Sequence, residues 1–285
     1  MFRHGPRAVR SGAELCGQVL PGDYRLLELL HEDDERSVYR ALQLVLGREV
    51  RIELLRSEPC VDPLSRARFT LEARVASRLK HPNAVDLLAL GHTRAGQPYV
   101  VTELVRGIDL GSLRRAHGPL RPSRVLDLLE QVASALVEAH ACGVVHGDLR
   151  LEKVIVRMLA NGEDLVKLTD FALAPSNGRA DVAGDLHAVG VMMRELLSGT
   201  TAPETLARVL RRALASDPSE RHQDALELHR DLLEALAATR DAGATEAEFM
   251  GCPSCASCVP IARHCCDCGR PLVLSSITVP VQVCA

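Results

Sequence analysis

One stretch near the middle of the chain, residues 144–174, constrains the fold more than any other part of the sequence. It contains two short apolar runs, residues 154–158 and 165–168, separated by a polar segment. This pattern predicts a β-hairpin. Asp148 precedes the first run and Asp170 follows the second, so the hairpin brings both carboxylates to one edge. Paired carboxylates suit a divalent cation and a proton acceptor. From spacing alone, simple turn capping by both aspartates is slightly favoured.

The residues within this stretch resemble two loops of protein kinases. Residues 146–153 read HGDLRLEK and residues 169–172 read TDFA, similar to the catalytic and metal-binding loops of bacterial serine/threonine kinases of the eukaryotic type. The resemblance extends over about residues 17–236. It implies that Asp148 orients the substrate hydroxyl and that Asp170 holds magnesium on the ATP phosphates. The sequence HGDL at residues 146–149 also resembles the corresponding loop of small-molecule phosphotransferases such as the aminoglycoside kinases.

This resemblance implies an α+β chain with a bilobal protein-kinase-like fold. We expect a β-rich N-lobe at about 17–103 and a mostly helical C-lobe at about 104–238, after a leader at 1–16. Residues 171–184 are too few for a full activation segment with its Ala-Pro-Glu anchor before Asp185, which matches the aspartate that leads the family's helix F.

The family's helix G, a docking surface for substrates and regulators, is also expected to be absent. The residues that match the end of helix F, 195–199, are followed almost directly by the next helical segment, 204–215. The sequence therefore predicts a trimmed C-lobe.

The turn that matches the glycine-rich loop of kinases lacks glycine. The three glycine positions are His31, Asp33 and Arg36, within a charged turn predicted at 31–37. Glycine lets backbone N–H groups approach phosphates closely, and the HEDDER sequence instead carries carboxylates that repel a triphosphate. A solvated charged turn is the favoured interpretation.

The segment at 48–55 resembles the third strand of kinases, with Glu53 at the position of the phosphate-binding lysine. Arg51 occupies a position that is usually small and lies under the adenine ring. Strand alternation places both side chains on the cleft face. A cation about 4 Å from a phosphate gains roughly 4 kcal/mol at an effective dielectric of 20, and a carboxylate there reverses the sign. Unless Glu53 turns away from the cleft, we therefore expect conventional binding of ATP with magnesium to be severely weakened.

A helical stretch predicted at 64–80 contains Glu72, a carboxylate on an otherwise apolar stripe. Glu72 matches the helix C glutamate of kinases, whose lysine partner is missing here. A buried carboxylate needs a partner, so we expect Arg51 to pair with Glu72. The competing interpretation is that Glu72 faces solvent at the helix edge.

The family's second metal ligand, an asparagine, is Lys153 in this chain. An ammonium group has no lone pair and cannot ligate magnesium. The favoured interpretation is that Lys153 pairs with Asp148 or Asp170 and neutralises a disused site. The alternative is that it serves as a relocated phosphate-binding lysine.

Cysteine is concentrated in the last part of the chain, after a polar, small-residue-rich linker predicted at 239–251. In a reducing compartment such clustering indicates metal more often than disulfide. Two Cys-x-x-Cys pairs can hold structural zinc tetrahedrally. We expect a zinc ribbon at 252–272 and a strand-like tail at 273–285, with Cys258 and Cys266 as alternative ligands and a disulfide or redox pair as the competing interpretation. The expected ligands are Cys252, Cys255, Cys265 and Cys268.

Composition limits the possible partners and location. The 285 residues are 47% hydrophobic and 25% charged with a net charge of −3, typical of a globular chain. No basic stripe indicates nucleic acid, no apolar run approaches the roughly 20 residues that span a bilayer, and the leader lacks the apolar core of a signal peptide. We expect a cytoplasmic protein with a protein partner and neither nucleic acid nor membrane; the sequence does not set the oligomeric state.

These departures favour a pseudokinase, a regulatory or scaffolding module in bacterial signalling rather than an enzyme. The alternative is an active ATP-dependent phosphotransferase, acting on protein serine/threonine or on a small molecule through an atypical nucleotide site. A third interpretation makes the zinc ribbon the functional end and the kinase-like part a passive scaffold.

Overall fold

A computed structural model describes most of the kinase-like region and a short hairpin beyond it. Within the helices, the side chains of 63–66, 68, 72 and 240–242 are not described. The described residues are 12–34, 36–56, 63–159, 161–171 and 181–242, with the backbone alone at 249–251 and 258–260.

The first lobe is built on one antiparallel sheet with strand order β1-β2-β3-β4-β6-β5. Its alternating side chains bury one face, where Leu26, Tyr39, Val50, Ile52 and Val101 form a core. The charged turn is shorter than the sequence predicted, because the paired strands continue further into it on both sides. The strands are β1 Val19–Leu20, β2 Tyr24–Glu32, β3 Arg36–Gln43, β4 Arg48–Leu55, β5 Leu87–His92 and β6 Pro98–Glu103.

Helix α1, Pro63–Ala76, packs on this sheet through a small cluster that contains Phe69, Ala73 and Val100. It ends before the predicted boundary at residue 80. The Ser77 hydroxyl donates a hydrogen bond to the Arg74 carbonyl at 2.7 Å, and such side-chain bonds compete with continuation of a helix.

The second lobe is mostly helical and surrounds helix α3, whose buried face includes Val125, Leu129, Val132 and Leu136. Helix α6 extends into the segment predicted as a linker. The helices are α2 Leu110–His117, α3 Pro122–Ala141, α4 Val182–Leu197, α5 Glu204–Ala213 and α6 Ala225–Ala242.

The central stretch forms the expected hairpin. Strands β8 Val154–Met158 and β9 Asp164–Leu168 pair antiparallel, and β7 Ile108–Asp109 joins β8 to complete a three-stranded sheet. Leu168 also forms a parallel bridge with Ala84, which connects the hairpin to the chain that follows α1. The β-rich and helical halves agree with the bilobal fold that the sequence predicted.

A last pair of strands, β10 Phe249–Gly251 and β11 Cys258–Pro260, forms a short antiparallel hairpin. The four predicted zinc ligands and the tail at 273–285 lie outside the described residues, so the zinc ribbon stays a prediction. In the part of the chain that the structure describes, no helix combines the length and apolar character that crossing a bilayer requires.

Candidate functional site

A buried aspartate fixes the backbone of the loop at residues 146–153, whose sequence resembles the catalytic loop of kinases. Asp185 lies in the first turn of α4 and is 2% exposed. Its carboxylate accepts hydrogen bonds from the backbone N–H of His146 at 2.8 Å and of Gly147 at 2.9 Å. His140 contacts the same carboxylate through Nε2 at 2.9 Å. The carboxylate of Asp185 therefore anchors the loop through these hydrogen bonds.

His146 has a structural role beneath this loop. Its Nε2–H donates to the Thr169 carbonyl at 3.0 Å, and Nδ1 accepts from the Asp148 N–H at 3.4 Å, so the ring is a neutral tautomer. Burial lowers the pKa of His146, which agrees with that assignment. The ring also contacts Phe171, with centroids 5.0 Å apart. His146 thus ties the loop that contains Asp148 to the segment that contains Asp170.

Asp148 lies at the open edge of the cleft. Its side chain is 44% exposed and contacts Arg150 at 3.6 Å. Such an exposed pair contributes little to stability and leaves the carboxylate accessible. Asp148 therefore retains the accessibility that a proton acceptor for a substrate hydroxyl needs.

Asp170 has cations on both carboxylate oxygens. Arg51 Nη1 lies 2.8 Å from Oδ1, and the Lys153 ammonium donates to Oδ2. Burial alone would raise the pKa of Asp170, but Arg51 and Lys153 outweigh it and lower the pKa to about 2. The backbone at Asp170 is left-handed, with φ of 63°, a region that aspartate tolerates better than most residues. Asp170 is thus a charged group whose partners are already supplied by the chain.

Glu53 does not turn away from the cleft. It is buried, and its two oxygens contact Arg36 Nη1 at 2.7 Å and Arg51 Nη1 at 3.3 Å. Burial lowers the pKa of Arg51, but Asp170 and Glu53 outweigh this effect and raise it. Five residues form a continuous series of ion pairs across the two lobes. We name this series the cleft charge cluster; it consists of Arg36, Glu53, Arg51, Asp170 and Lys153.

The structure thus brings together four of the residues singled out in the sequence and places Asp148 apart from them, against Arg150. The backbone of Glu72 lies in α1, but its side chain is outside the described residues, so its pairing with Arg51 stays a prediction. The described partners of Arg51 are Glu53 and Asp170.

Arg36 is the member of the cluster that the sequence reasoning missed. In the sequence, Arg36 stands out only as a position where kinases have glycine. The register of β3 against β4 places Val38 opposite Glu53, so Arg36, two residues away on the same face, reaches Glu53 diagonally. Alternation of Arg36, Val38 and Arg40 along β3 was the available signal.

The cluster does not fit a magnesium–triphosphate complex in the manner of the family. Magnesium needs oxygen lone pairs, whereas both oxygens of Asp170 face cations and Lys153 offers none. Glu53 adds negative charge at the position where the family places a lysine. In the described residues, no group of three or more His, Cys, Asp or Glu side chains could hold a metal ion.

Comparison with known proteins shows similarity to protein kinases. The model for protein tyrosine and serine/threonine kinases matches residues 47–188. Serine/threonine-protein kinase pkn3 of Myxococcus xanthus is 34% identical over 215 residues, which cover 65% of this chain and 39% of pkn3. Serine/threonine-protein kinase PrkC of Bacillus subtilis is 28% identical over 279 residues, which cover 79% of this chain and 42% of PrkC.

Solved structures agree with the fold. The crystal structure of the Mycobacterium tuberculosis PknI kinase domain aligns with a TM-score of 0.62 and 26% identity. The alignment covers 77% of this chain and 98% of that domain. The fold is therefore that of a bilobal kinase.

The chain is similar to the protein kinase-like superfamily, and the relatives that it matches are bacterial serine/threonine kinases of the eukaryotic type. It spans less than half the length of the curated relatives described above.

Proposed function

We propose that this chain is a pseudokinase that acts as a regulatory or scaffolding protein-binding module in bacterial signalling. The cleft charge cluster supports this proposal. Asp170, which the family uses for the metal, is neutralised by Arg51 and Lys153. Glu53, at the position of the family's phosphate-binding lysine, is buried among arginines.

The magnitudes favour a closed electrostatic arrangement over nucleotide binding. A carboxylate about 4 Å from a phosphate costs roughly 4 kcal/mol at an effective dielectric of 20. Millimolar binding is worth only about 4 kcal/mol in total. Magnesium would also have to displace Arg51 or Lys153 from Asp170, which adds to that cost.

The alternative is an active ATP-dependent phosphotransferase, with a protein serine/threonine or a small molecule as substrate. The names of the relatives favour it, and so does Asp148, whose carboxylate is half-exposed at the edge of the cleft. In this alternative, Lys153 leaves Asp170 and contacts phosphate, as in the second interpretation of the sequence.

Thermal unfolding of the full chain with millimolar ATP, with and without magnesium, tests the proposal. A ligand at 100 times its Kd adds about 2.7 kcal/mol of stability, which gives an easily measured shift. We expect no shift for the natural chain. The double variant Arg51→Ala, Glu53→Lys is a matched gain-of-binding control, because it removes the blocking cation and restores a lysine.

A magnesium-dependent shift of the natural chain, together with phosphate transfer that Asp148→Asn abolishes, would overturn the pseudokinase proposal in favour of the phosphotransferase. A shift without magnesium that Lys153→Ala abolishes would instead indicate nucleotide sensing without chemistry.

We also propose structural zinc on Cys252, Cys255, Cys265 and Cys268, because their spacing suits a tetrahedral thiolate site. Zinc content of the purified full chain, measured by mass spectrometry, tests this. Cys252→Ser should lower it, whereas Cys142→Ser, in the helical lobe, should not. Equal zinc in both variants would contradict the assignment. Deleting residues 252–285 and repeating a partner-binding assay then tests whether the ribbon or the kinase-like part binds the partner.

A further inference from the structure

A cavity of about 470 Å³ lies beside the segment that joins the two lobes. It is bounded by β4, by residues 103–106 and by the β8–β9 hairpin, and no member of the cleft charge cluster lines it. Its size is within the range of small-ligand sites. We name it the hinge pocket; its charged and apolar walls include Glu49, Glu103, Arg106, Arg157, Leu165 and Lys167.

The two carboxylates that line the hinge pocket already have cationic partners. Lys167 donates to Glu103 at 2.7 Å, and Glu103 also accepts from the Asp86 N–H at 3.0 Å. Glu49 accepts from Arg40 at 2.6 Å and from Arg106 at 2.9 Å. These carboxylates therefore have no need of a further cation.

Arg157 is the cation of the hinge pocket that remains. It lies opposite Leu165 in the β8–β9 register, at an exposed position. The adjacent carboxylate, Asp164, is held by Arg124 at 2.7 Å. Within the residues that the structure describes, Arg157 has no ion pair. Its guanidinium can thus bind an acceptor from outside the chain.

The chemistry of the walls indicates which acceptor. Three cations and two carboxylates line the hinge pocket, which leaves a surplus of one positive charge. A guanidinium matches a planar carboxylate through two parallel hydrogen bonds. Leu104, Val105 and Leu165 supply apolar surface next to it. We propose that the hinge pocket binds a monovalent carboxylate attached to an apolar group, either a small carboxylic acid or an acidic side chain next to an apolar residue in a peptide.

This proposal does not rest on the proposed function, because the cleft charge cluster and the hinge pocket share no residue. Binding in the hinge pocket is compatible with an inactive cleft and with an active one. The result of the nucleotide experiment and the result of the carboxylate experiment are therefore independent of each other.

Titration of the ¹⁵N-labelled full chain with hexanoate, and with a capped Leu-Glu-Leu peptide, tests the proposal. Hexanamide and the capped Leu-Gln-Leu peptide are the matched neutral probes. We expect chemical-shift changes at the Leu104 and Leu165 amides with at least one acidic probe and none with the neutral ones. Binding of hexanoate identifies a small acid as sufficient, whereas binding of the peptide alone identifies a peptide side chain.

Arg157→Gln should weaken binding of the acidic probe about tenfold or more, because it removes the charged pair of hydrogen bonds. Arg94→Gln, an exposed arginine in the β5–β6 turn, is the matched control and should bind as the natural chain does. Both variants should melt at the natural temperature, since both sites are exposed.

Three results would overturn the proposal: no shift with either acidic probe, equal binding by Arg157→Gln, or tighter binding of inorganic phosphate than of both carboxylates. The last result would assign the hinge pocket to a phosphate-type anion.

Discussion

Asp185 is buried and the side chain of Asp170 is 10% exposed, and the chain supplies partners to these two aspartates in different ways. Asp185 accepts from backbone N–H groups of the loop and contacts His140. Asp170 is surrounded by charged side chains from both lobes, Arg51 and Lys153. One carboxylate therefore supports the local backbone, whereas the other depends on distant side chains.

The two aspartates therefore differ in how far their partners depend on individual side chains. The partners of Asp185 are mainly main-chain groups, which most substitutions do not remove. The partners of Asp170 are side chains, so substitution at Arg51 or Lys153 alters the cleft without altering the scaffold beneath it.

The largest effect is expected at Asp185. Asp185→Ala leaves the buried N–H groups of His146 and Gly147 without an acceptor, and each costs roughly 1–3 kcal/mol. We expect the free energy of unfolding to fall by about 3 kcal/mol or more, measured by urea denaturation. Asp181→Ala, which removes only the exposed N-cap of the same helix, should cost about 1 kcal/mol. Equal losses would contradict the role of Asp185 as an anchor.

Asp170 should show the next largest effect, with a clear dependence on pH. Its pKa is lowered from 3.8 to about 2, and one pKa unit corresponds to about 1.4 kcal/mol, so the charged form contributes about 2 kcal/mol. That contribution is present above the unfolded pKa and is lost as pH falls from about 4 through 2. Asp170→Asn should therefore lose about 2 kcal/mol at pH 7 and much less near pH 2.

Urea denaturation of both proteins across this pH range measures the difference. Asp86→Asn, which replaces an exposed carboxylate paired with Lys80, is the control. A gap between the Asp170 variant and the natural chain that stays constant down to pH 2 would show that the two cations do not hold the charged form.

Glu53→Gln should have a smaller effect. Glutamine keeps the shape and one oxygen acceptor, and Arg51 retains Asp170 as a partner. We expect a loss of about 1–2 kcal/mol in urea denaturation, because a charge-assisted hydrogen bond becomes a neutral one. A gain in stability would indicate that the desolvation of the Glu53 carboxylate is larger in free energy than its attraction to Arg36 and Arg51.

Arg150→Ala should have the smallest effect, since its pair with Asp148 is exposed and 3.6 Å long. Exposed pairs contribute about 0–1 kcal/mol. We expect a change below about 0.5 kcal/mol in the free energy of unfolding. A loss above about 1 kcal/mol would mean that the edge of the cleft is more constrained than its exposure indicates.

The sequence predicted local features of this fold well, because they depend on nearby residues. The central hairpin follows from two apolar runs, and the cleft face of Arg51 and Glu53 follows from strand alternation. The end of α1 did not follow, since Ser77 bonds back to the helix in a way that periodicity does not reveal.

The contents of the cleft were harder to predict, because they depend on register and on contacts across lobes. The role of Arg36 required the alignment of β3 with β4. From the sequence, Lys153 could pair with either Asp148 or Asp170. Only the structure, in which Asp170 follows β9 next to Lys153, shows that the partner is Asp170. The sequence gives no signal for Arg157, because its lack of an ion pair within the described residues depends on which cations hold the neighbouring carboxylates.

The contact between Arg51 on β4 and Asp170 after β9 has a mechanical consequence. It joins the two lobes through groups that belong to the chain, at a local concentration that a diffusing ligand does not match. This contact favours one arrangement of the two lobes without help from a bound small molecule. A partner that touches both lobes would meet a preorganised surface and lose less entropy on binding.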